Sequence, residues 1–266
     1  MREKLRYAQV LCIKSAGRAM QSTGMIWPGA RIGVAVSGGM DSFVLLKVLQ
    51  FRQRIVPFPF EIVALHVNPG FDPDNHKAFA DWLRLEGIPG ILEVSDHGPR
   101  AHSEENLKNS PCFYCSRLRR KRLFDMCAEN GLTHLAFGHN ADDLVSNFLM
   151  NLLQNGKVDG MSMNEDFFQG RLRVIRPLLM VEKQEIAKAA RQWDLPVWSN
   201  PCPSAGKTNR AAVMSALDGL CRQDKAWRKN FFNGLVRRQW EIDKNKTHAV
   251  PDAAGSMPEA AGQNVF

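Results

Sequence analysis

Short β-branched runs alternate along this chain with stretches in which apolar residues recur every three or four positions. The run Arg31–Val36 ends at a Ser-Gly-Gly turn, as a buried parallel strand should, and Val44, Leu45, Val48 and Leu49 give residues 42–54 helical spacing. The same reading predicts strands over 61–67, 90–94, 133–137 and 172–175. It predicts helices over 74–86, 113–129, 142–154 and 182–193, the second of them stopped by Asn130-Gly131. Strand and helix therefore alternate five times, which predicts an α/β fold with a doubly wound, mostly parallel sheet. A loop of about 15 residues, 95–109, is long enough to suggest function.

Beyond Pro203 the pattern turns helical and basic, over 208–220 and 224–240, and the last twenty residues read as a disordered tail. The expected organisation is an N-terminal helix (1–26), an α/β domain (27–203), a basic helical extension (204–245) and the tail (246–266). The N-terminus reads as an amphipathic helix rather than a signal peptide. No run of about 18 apolar residues suggests a membrane span, so the expected compartment is the cytoplasm. There the six cysteines matter for metal or redox chemistry more than for disulfides. The net charge of +8 and pI of about 9.3 favour an anionic partner: nucleic acid, nucleotide or membrane surface.

The first candidate chemistry is Ser37-Gly38-Gly39-Met40-Asp41-Ser42, where a strand hands over to a helix. Two glycines admit a close ligand, the helix N-terminus favours an anion, and the hydroxyls can donate to phosphate. Asp41 beside phosphate implies a divalent cation, Mg²⁺. The loop is not a Walker A sequence. Ser204–Thr208 mimics the end of one, but Pro201 stands where its first glycine belongs.

His66 closes the second strand and Gly138-His139-Asn140-Ala141-Asp142-Asp143 follows the fourth, both on the rim where parallel sheets bind ligands. Here Asp142 is expected to cap the following helix and leave Asp143 free as metal ligand or proton acceptor.

Cys112 and Cys115 form a C-x-x-C pair at a helix start, where thiolates are stabilised, and Cys202 stands between two prolines. Alone, the pair suits zinc, a redox couple or an iron–sulfur site. With Cys202, three thiolates suit a [4Fe–4S] cluster with one iron open to another ligand. Cys12, Cys127 and Cys221 lie in helical patterns and read as small apolar residues. Arg117, Arg119, Arg120, Lys121 and Arg122 crowd one helix and favour a polyanion. Lys157, Arg171, Arg173, Arg176, Arg228, Lys229, Arg237 and Arg238 extend that basic surface.

In order, SGGMDS, PCFYCSRLRRKRL, FGHNADD, GKVDGM, RVIRPL and the PC at 201–202 resemble the tRNA 2-thiocytidine synthetases, a family of PP-loop thiolases that use an iron–sulfur cluster. The resemblance runs from about residue 27 to about 220. It implies that Ser37–Ser42 hold ATP, which is split between its α- and β-phosphates. It implies that Cys112, Cys115 and Cys202 ligate the cluster, Asp143 is the acid/base, and Arg119 stabilises developing charge. A tRNA cytidine would have its 2-oxygen adenylated and then replaced by sulfur, supplied by a cysteine desulfurase relay or by sulfide. Met40 stands where the family usually has lysine, Asn140-Ala141 where a His-Arg pair is common, and Ala205 where a further cysteine occurs. Two other readings stay open: the same loop serving another RNA base or a small molecule, and a nucleotide- and RNA-binding module without turnover. Oligomeric state is open as well, a homodimer included.

Overall fold

A computed structural model describes residues 4–206 and 209–246. The tail from Thr247, and Lys207-Thr208 of the Walker-like mimic, lie outside those residues. In chain order the elements are α1 (Tyr7–Ser22), β1 (Arg31–Ala35), α2 (Met40–Gln53), β2 (Glu61–Asn68), α3 (Lys77–Glu86), β3 (Gly90–Val94), α4 (His97–Ala101), α5 (Pro111–Glu129), β4 (His134–Ala136), α6 (Ala141–Asn155), β5 (Asn164–Phe167), β6 (Leu172–Ile175), α7 (Lys183–Gln192), α8 (Asn209–Cys221) and α9 (Lys225–Lys244). The strand order is β3-β2-β1-β4-β6-β5, parallel throughout except for β5, which runs antiparallel to β6. Order therefore reverses between β1 and β4, and the crevice beyond their carboxyl ends is the switch point where such sheets bind ligands.

Helices cover both faces. On one, α1, α2, α3 and α7 bury Cys12, Ile13, Phe43, Leu46, Phe79 and Ile186 in a common core with β1 and β2. The N-terminal helix thus packs into the main core. On the other face, α5 lays Leu123, Phe124, Met126 and Cys127 over Leu65, Leu135 and Val174. A third cluster joins α6 to α8 and α9 through Ala141, Val145, Leu217, Cys221 and Phe232. Cys12, Cys127 and Cys221 fill these cores, and burial pushes the first two thiols up to about 12. Among the described residues no helix is long and apolar enough to cross a membrane.

Two features depart from the sequence reading. The edge strand β5, Asn-Glu-Asp-Phe, has no apolar alternation to announce it. It exists because the turn through Phe168, Gln169 and Gly170, all with positive φ, folds it back onto β6. Within the loop 95–109, α4 forms one short turn of helix.

The end of α9 is fastened by one buried carboxylate. Asp243 accepts hydrogen bonds from Ser162 Oγ, the Met163 amide (2.8 Å) and Gln239 Nε2 (2.9 Å), and pairs with Lys246 (2.9 Å). Asp243→Ala strands these donors, so the expected loss is about 3 kcal/mol, read as a lower urea midpoint. An unchanged midpoint would show that the extension docks by other means.

Candidate active site

The phosphate-type loop begins where β1 ends. Val36 still donates to the Leu65 carbonyl (2.8 Å), and Gly39 then takes the extended N-cap conformation of α2. Ser42 Oγ donates to the Gly39 carbonyl (2.8 Å) and accepts the Ser37 amide (3.3 Å), so the loop is tied across its own mouth. Gly38 has φ +92°, and a Cβ there would stand 2.6 Å from the Trp198 indole. Trp198 also donates its amide to the Gly38 carbonyl (3.0 Å), which makes the segment after α7 a wall of the loop. With Gly39 as its N-cap, α2 sets the positive end of its dipole at this loop.

The 138–143 segment closes onto the loop from β4. A Cβ at Gly138 would lie 2.9 Å from the Asp41 carbonyl and 3.0 Å from the Ser42 amide, so only glycine admits this approach. The capping expectation is corrected here. Asn140, one residue before the helix, accepts the Asp142 and Asp143 amides (3.0 and 3.2 Å), and its own amide donates to Asp143 Oδ2 (3.0 Å). A cap must sit just outside the first turn to reach those amides, and Asp142 is already inside it. Asp142 instead takes the Lys183 amide (2.8 Å) and Arg228 (3.2 Å). Asp143 is not a spare acid either: Arg210 holds its second oxygen at 2.7 Å.

Asn140 Nδ2 donates to Asp41 (3.0 Å) and so links the two segments. Burial raises the Asp41 carboxyl above its ordinary range, Lys183 counters this, and the neighbouring Asp143 raises it further. Asn140 thus joins two carboxylates, holding Asp41 through its side chain and Asp143 through its amide.

His66 lies behind the loop, fully buried against Phe79 and Trp198. Its Nδ1–H donates to the Val36 carbonyl (2.8 Å), which leaves Nε2 buried and unpartnered. It braces the loop from below. His139 is half-buried on the rim with an unpartnered, buried Nδ1. Burial pushes His66 down to about 4 and His139 to about 3, the latter helped by Arg176, Arg210, Arg120 and Arg119; buried His134 is likewise near 3. Such rings refuse protons that the unfolded chain accepts near pH 6.5. Their contribution to stability is therefore complete above pH 6.5 and is lost as pH falls toward about 4 for His66 and about 3 for His139 and His134. The thermal midpoint should be flat above pH 7 and decline below 6.5, less steeply in His66→Asn. Equal slopes in the two proteins would contradict this.

The helix of the C-x-x-C pair opens with Pro111 at its first position and Ser110 as cap. Cys112 is exposed, while Cys115 and Cys202 are half-buried; all three are free thiols. Burial raises the Cys115 thiol, Arg119 lowers it, and Cys202 and Cys112 raise it further. Asn75–Asn200 and His102–Ser204 hydrogen bonds hold the Cys202 loop in place. Among the described residues, no three His, Cys, Asp or Glu side chains form a closed metal-binding group. In donor chemistry the three thiols nonetheless suit a cluster, because none of them is spent in an apolar core. Arg119 lowers the Cys115 thiol and adds to the pressure that keeps His66 and His139 neutral.

The basic surface is smaller than the sequence implied. Arg117, Arg120 and Lys121 are exposed, with Lys121 paired to Asp125 (3.1 Å). Arg122 is clamped between Glu93 and Glu129 (both 2.6 Å), so its charge is compensated inside the fold. Arg173 is buried on Asp166 (2.7 Å) and over Trp27, and Arg176 reaches the Ser162 carbonyl (2.6 Å) and Glu165 (3.3 Å). Trp198, Lys183 and Arg210 were missed. They come from segments distant in sequence, and nothing in their local patterns points toward the loop.

Strand, glycine loop and the facing 138–143 segment define a PP-loop protein, and the PP-loop domain model matches residues 14–214. Comparison with curated proteins finds the tRNA-cytidine(32) 2-sulfurtransferase of Geobacter sulfurreducens, 32% identical over 235 residues that cover 88% of this chain and 91% of that one. The Bordetella pertussis protein of the same name is 34% identical over 224 residues, 83% and 69% of the two chains. This chain belongs to the tRNA-cytidine(32) 2-sulfurtransferase family. Among solved structures, the U34-tRNA thiolase NcsA from Methanococcus maripaludis, with its [4Fe-4S] cluster, superposes with a TM-score of 0.69 at 24% identity. That match covers 89% of this chain and 81% of that one, and shows the shared fold.

Proposed function

We propose that this chain is an ATP-dependent tRNA sulfurtransferase that adenylates the 2-oxygen of a cytidine and exchanges it for sulfur. The observation that carries the reading is the closure of the 138–143 segment on the glycine loop, with Gly138 against the Asp41 carbonyl and Asn140 Nδ2 on Asp41 at 3.0 Å, which brings Asp143 to the loop. Ser37, Gly38, Gly39 and Ser42 cradle the phosphates, and Gly138 and His139 line the opposite side. Asp41, beside Asp143, is the residue to hold Mg²⁺. The base oxygen attacks the α-phosphorus as the bond to pyrophosphate breaks, and the 2-oxygen can then leave as part of AMP. Asp143 joins Asp41 as the second carboxylate toward Mg²⁺, in place of the acid/base role that the resemblance implies, and Arg119 neutralises charge on the departing oxygen. Cys112, Cys115 and Cys202 would hold a [4Fe–4S] cluster, which when bound supplies an iron with an open position for the incoming sulfur. Arg117, Arg120 and Lys121 give the tRNA backbone its contacts, without Arg122.

The test is anaerobic turnover of unmodified tRNA with ATP, Mg²⁺ and sulfide, followed by nucleoside mass spectrometry. The proposal expects 2-thiocytidine and matching AMP. A thiolated nucleoside other than cytidine would move the substrate to another base, and the absence of AMP would remove the mechanism.

A further inference from the structure

The candidate catalytic carboxylate is held by an arginine from outside the α/β domain. Arg210, in the first turn of α8, places Nη1 2.7 Å from Asp143 Oδ1, while the Asn140 amide occupies Oδ2 at 3.0 Å. Arg210 therefore competes with any metal for Asp143 Oδ1 while this pair stands. The pair is exchangeable, because the Arg210 side chain is 46% exposed and such bridges are screened by water. Its neighbour Arg176 is not free to move, being buried on Glu165 and the Ser162 carbonyl.

A triphosphate brings about four negative charges, and the loop Ser37–Ser42 contains no basic side chain. The backbone amides carry only partial charge, so full cations must come from elsewhere in the fold. Arg210 stands on the right rim, since its partner Asp143 is tied through Asn140 to Asp41 of the loop.

We infer that Arg210 is a mobile cation of the active site, which leaves Asp143 for the phosphate chain of ATP when a divalent cation takes its place on the carboxylate. The inference rests on the ATP-dependent reading above. The exchange moves no proton: Asp143 trades a guanidinium for a metal, and Arg210 trades a carboxylate for a phosphate oxygen. As the bond between α-phosphorus and bridging oxygen breaks and the new oxygen–phosphorus bond forms, charge grows on the departing pyrophosphate. Arg210 is then the cation available to meet it. Until the nucleotide is seated, Arg210 also keeps two adjacent carboxylates from facing each other uncompensated.

The experiment compares wild type, Arg210→Gln and Arg210→Lys as the full chain. Binding of Mn²⁺ without nucleotide is read by electron paramagnetic resonance, and AMP release is read with ATP, Mg²⁺ and tRNA. In Arg210→Gln the Mn²⁺ affinity is expected to rise roughly 3- to 10-fold, because the competitor for Asp143 is gone, while kcat falls about 100-fold. Arg210→Lys keeps the charge without the planar fork and should recover part of kcat. Opposite movements of metal affinity and turnover are not expected if Arg210 merely pins α8. In that case the thermal midpoint drops while Mn²⁺ affinity stays unchanged, and this result would overturn the inference. So would wild-type kcat in Arg210→Gln. If the wild type itself releases no AMP, the functional reading fails separately, and unchanged Mn²⁺ binding in Arg210→Gln still refutes the exchange.

Discussion

Cys202→Ser is expected to give a protein that folds, binds ATP, and has lost its iron and its thiolation activity. Serine keeps the volume but offers a hydroxyl in place of a thiolate, a poor ligand for iron near neutral pH. Cys202 sits on a proline-flanked turn, half-buried, with its loop tied to the body through Asn200 and Ser204. Little of the fold depends on its sulfur, so the loss should be chemical rather than structural. Thiolation should drop more than about 100-fold, since removing a ligand exceeds the 10- to 100-fold cost of disturbing a ligand's support. Anaerobically prepared wild type should show broad absorbance near about 400 nm and bound iron, and the variant neither. The contrasting change is Cys127→Ser. Cys127 is buried against the sheet by α5, so iron should be retained and stability reduced by about 1–2 kcal/mol for the buried hydroxyl. Equal iron content in wild type and Cys202→Ser would take Cys202 out of the ligand set.

The second large effect is expected at Gly38→Ala. The position has φ +92°, where a side chain costs about 1–3 kcal/mol, and the new Cβ would stand 2.6 Å from the Trp198 ring. The two penalties are separable. In Gly38→Ala/Trp198→Ala the clash is gone and the backbone strain remains, so the double variant should bind ATP better than Gly38→Ala but worse than wild type. Calorimetric titration should show ATP affinity reduced at least about 10-fold in the single variant. Cluster absorbance should survive, because Gly38 is on the loop side of the site. Wild-type affinity in Gly38→Ala would mean that the nucleotide does not sit on this loop.

What the sequence determined by itself was the alternation of elements, the parallel sheet, and the order of chemical motifs along it. Those features are local: β1 is an apolar run ended by glycines, and α2 carries its apolar residues at helical spacing. The strand-to-helix handover at Ser37–Ser42 was legible for the same reason. The tertiary structure alone decided which charges are available. Arg122, Arg173 and Arg176 look like the exposed arginines in sequence, yet each is spent on a carboxylate from another element. It also assigned the cap of α6 to Asn140 and gave Asp143 to Arg210, because the closing of a helix depends on backbone geometry and a partner 67 residues away. β5 needed its hairpin to exist, and Trp198 reached Gly38 only once α7 had packed on α2. Periodicity reports which face of an element is buried, whereas the pairing of charges and the walls of a loop depend on contacts far apart in the chain.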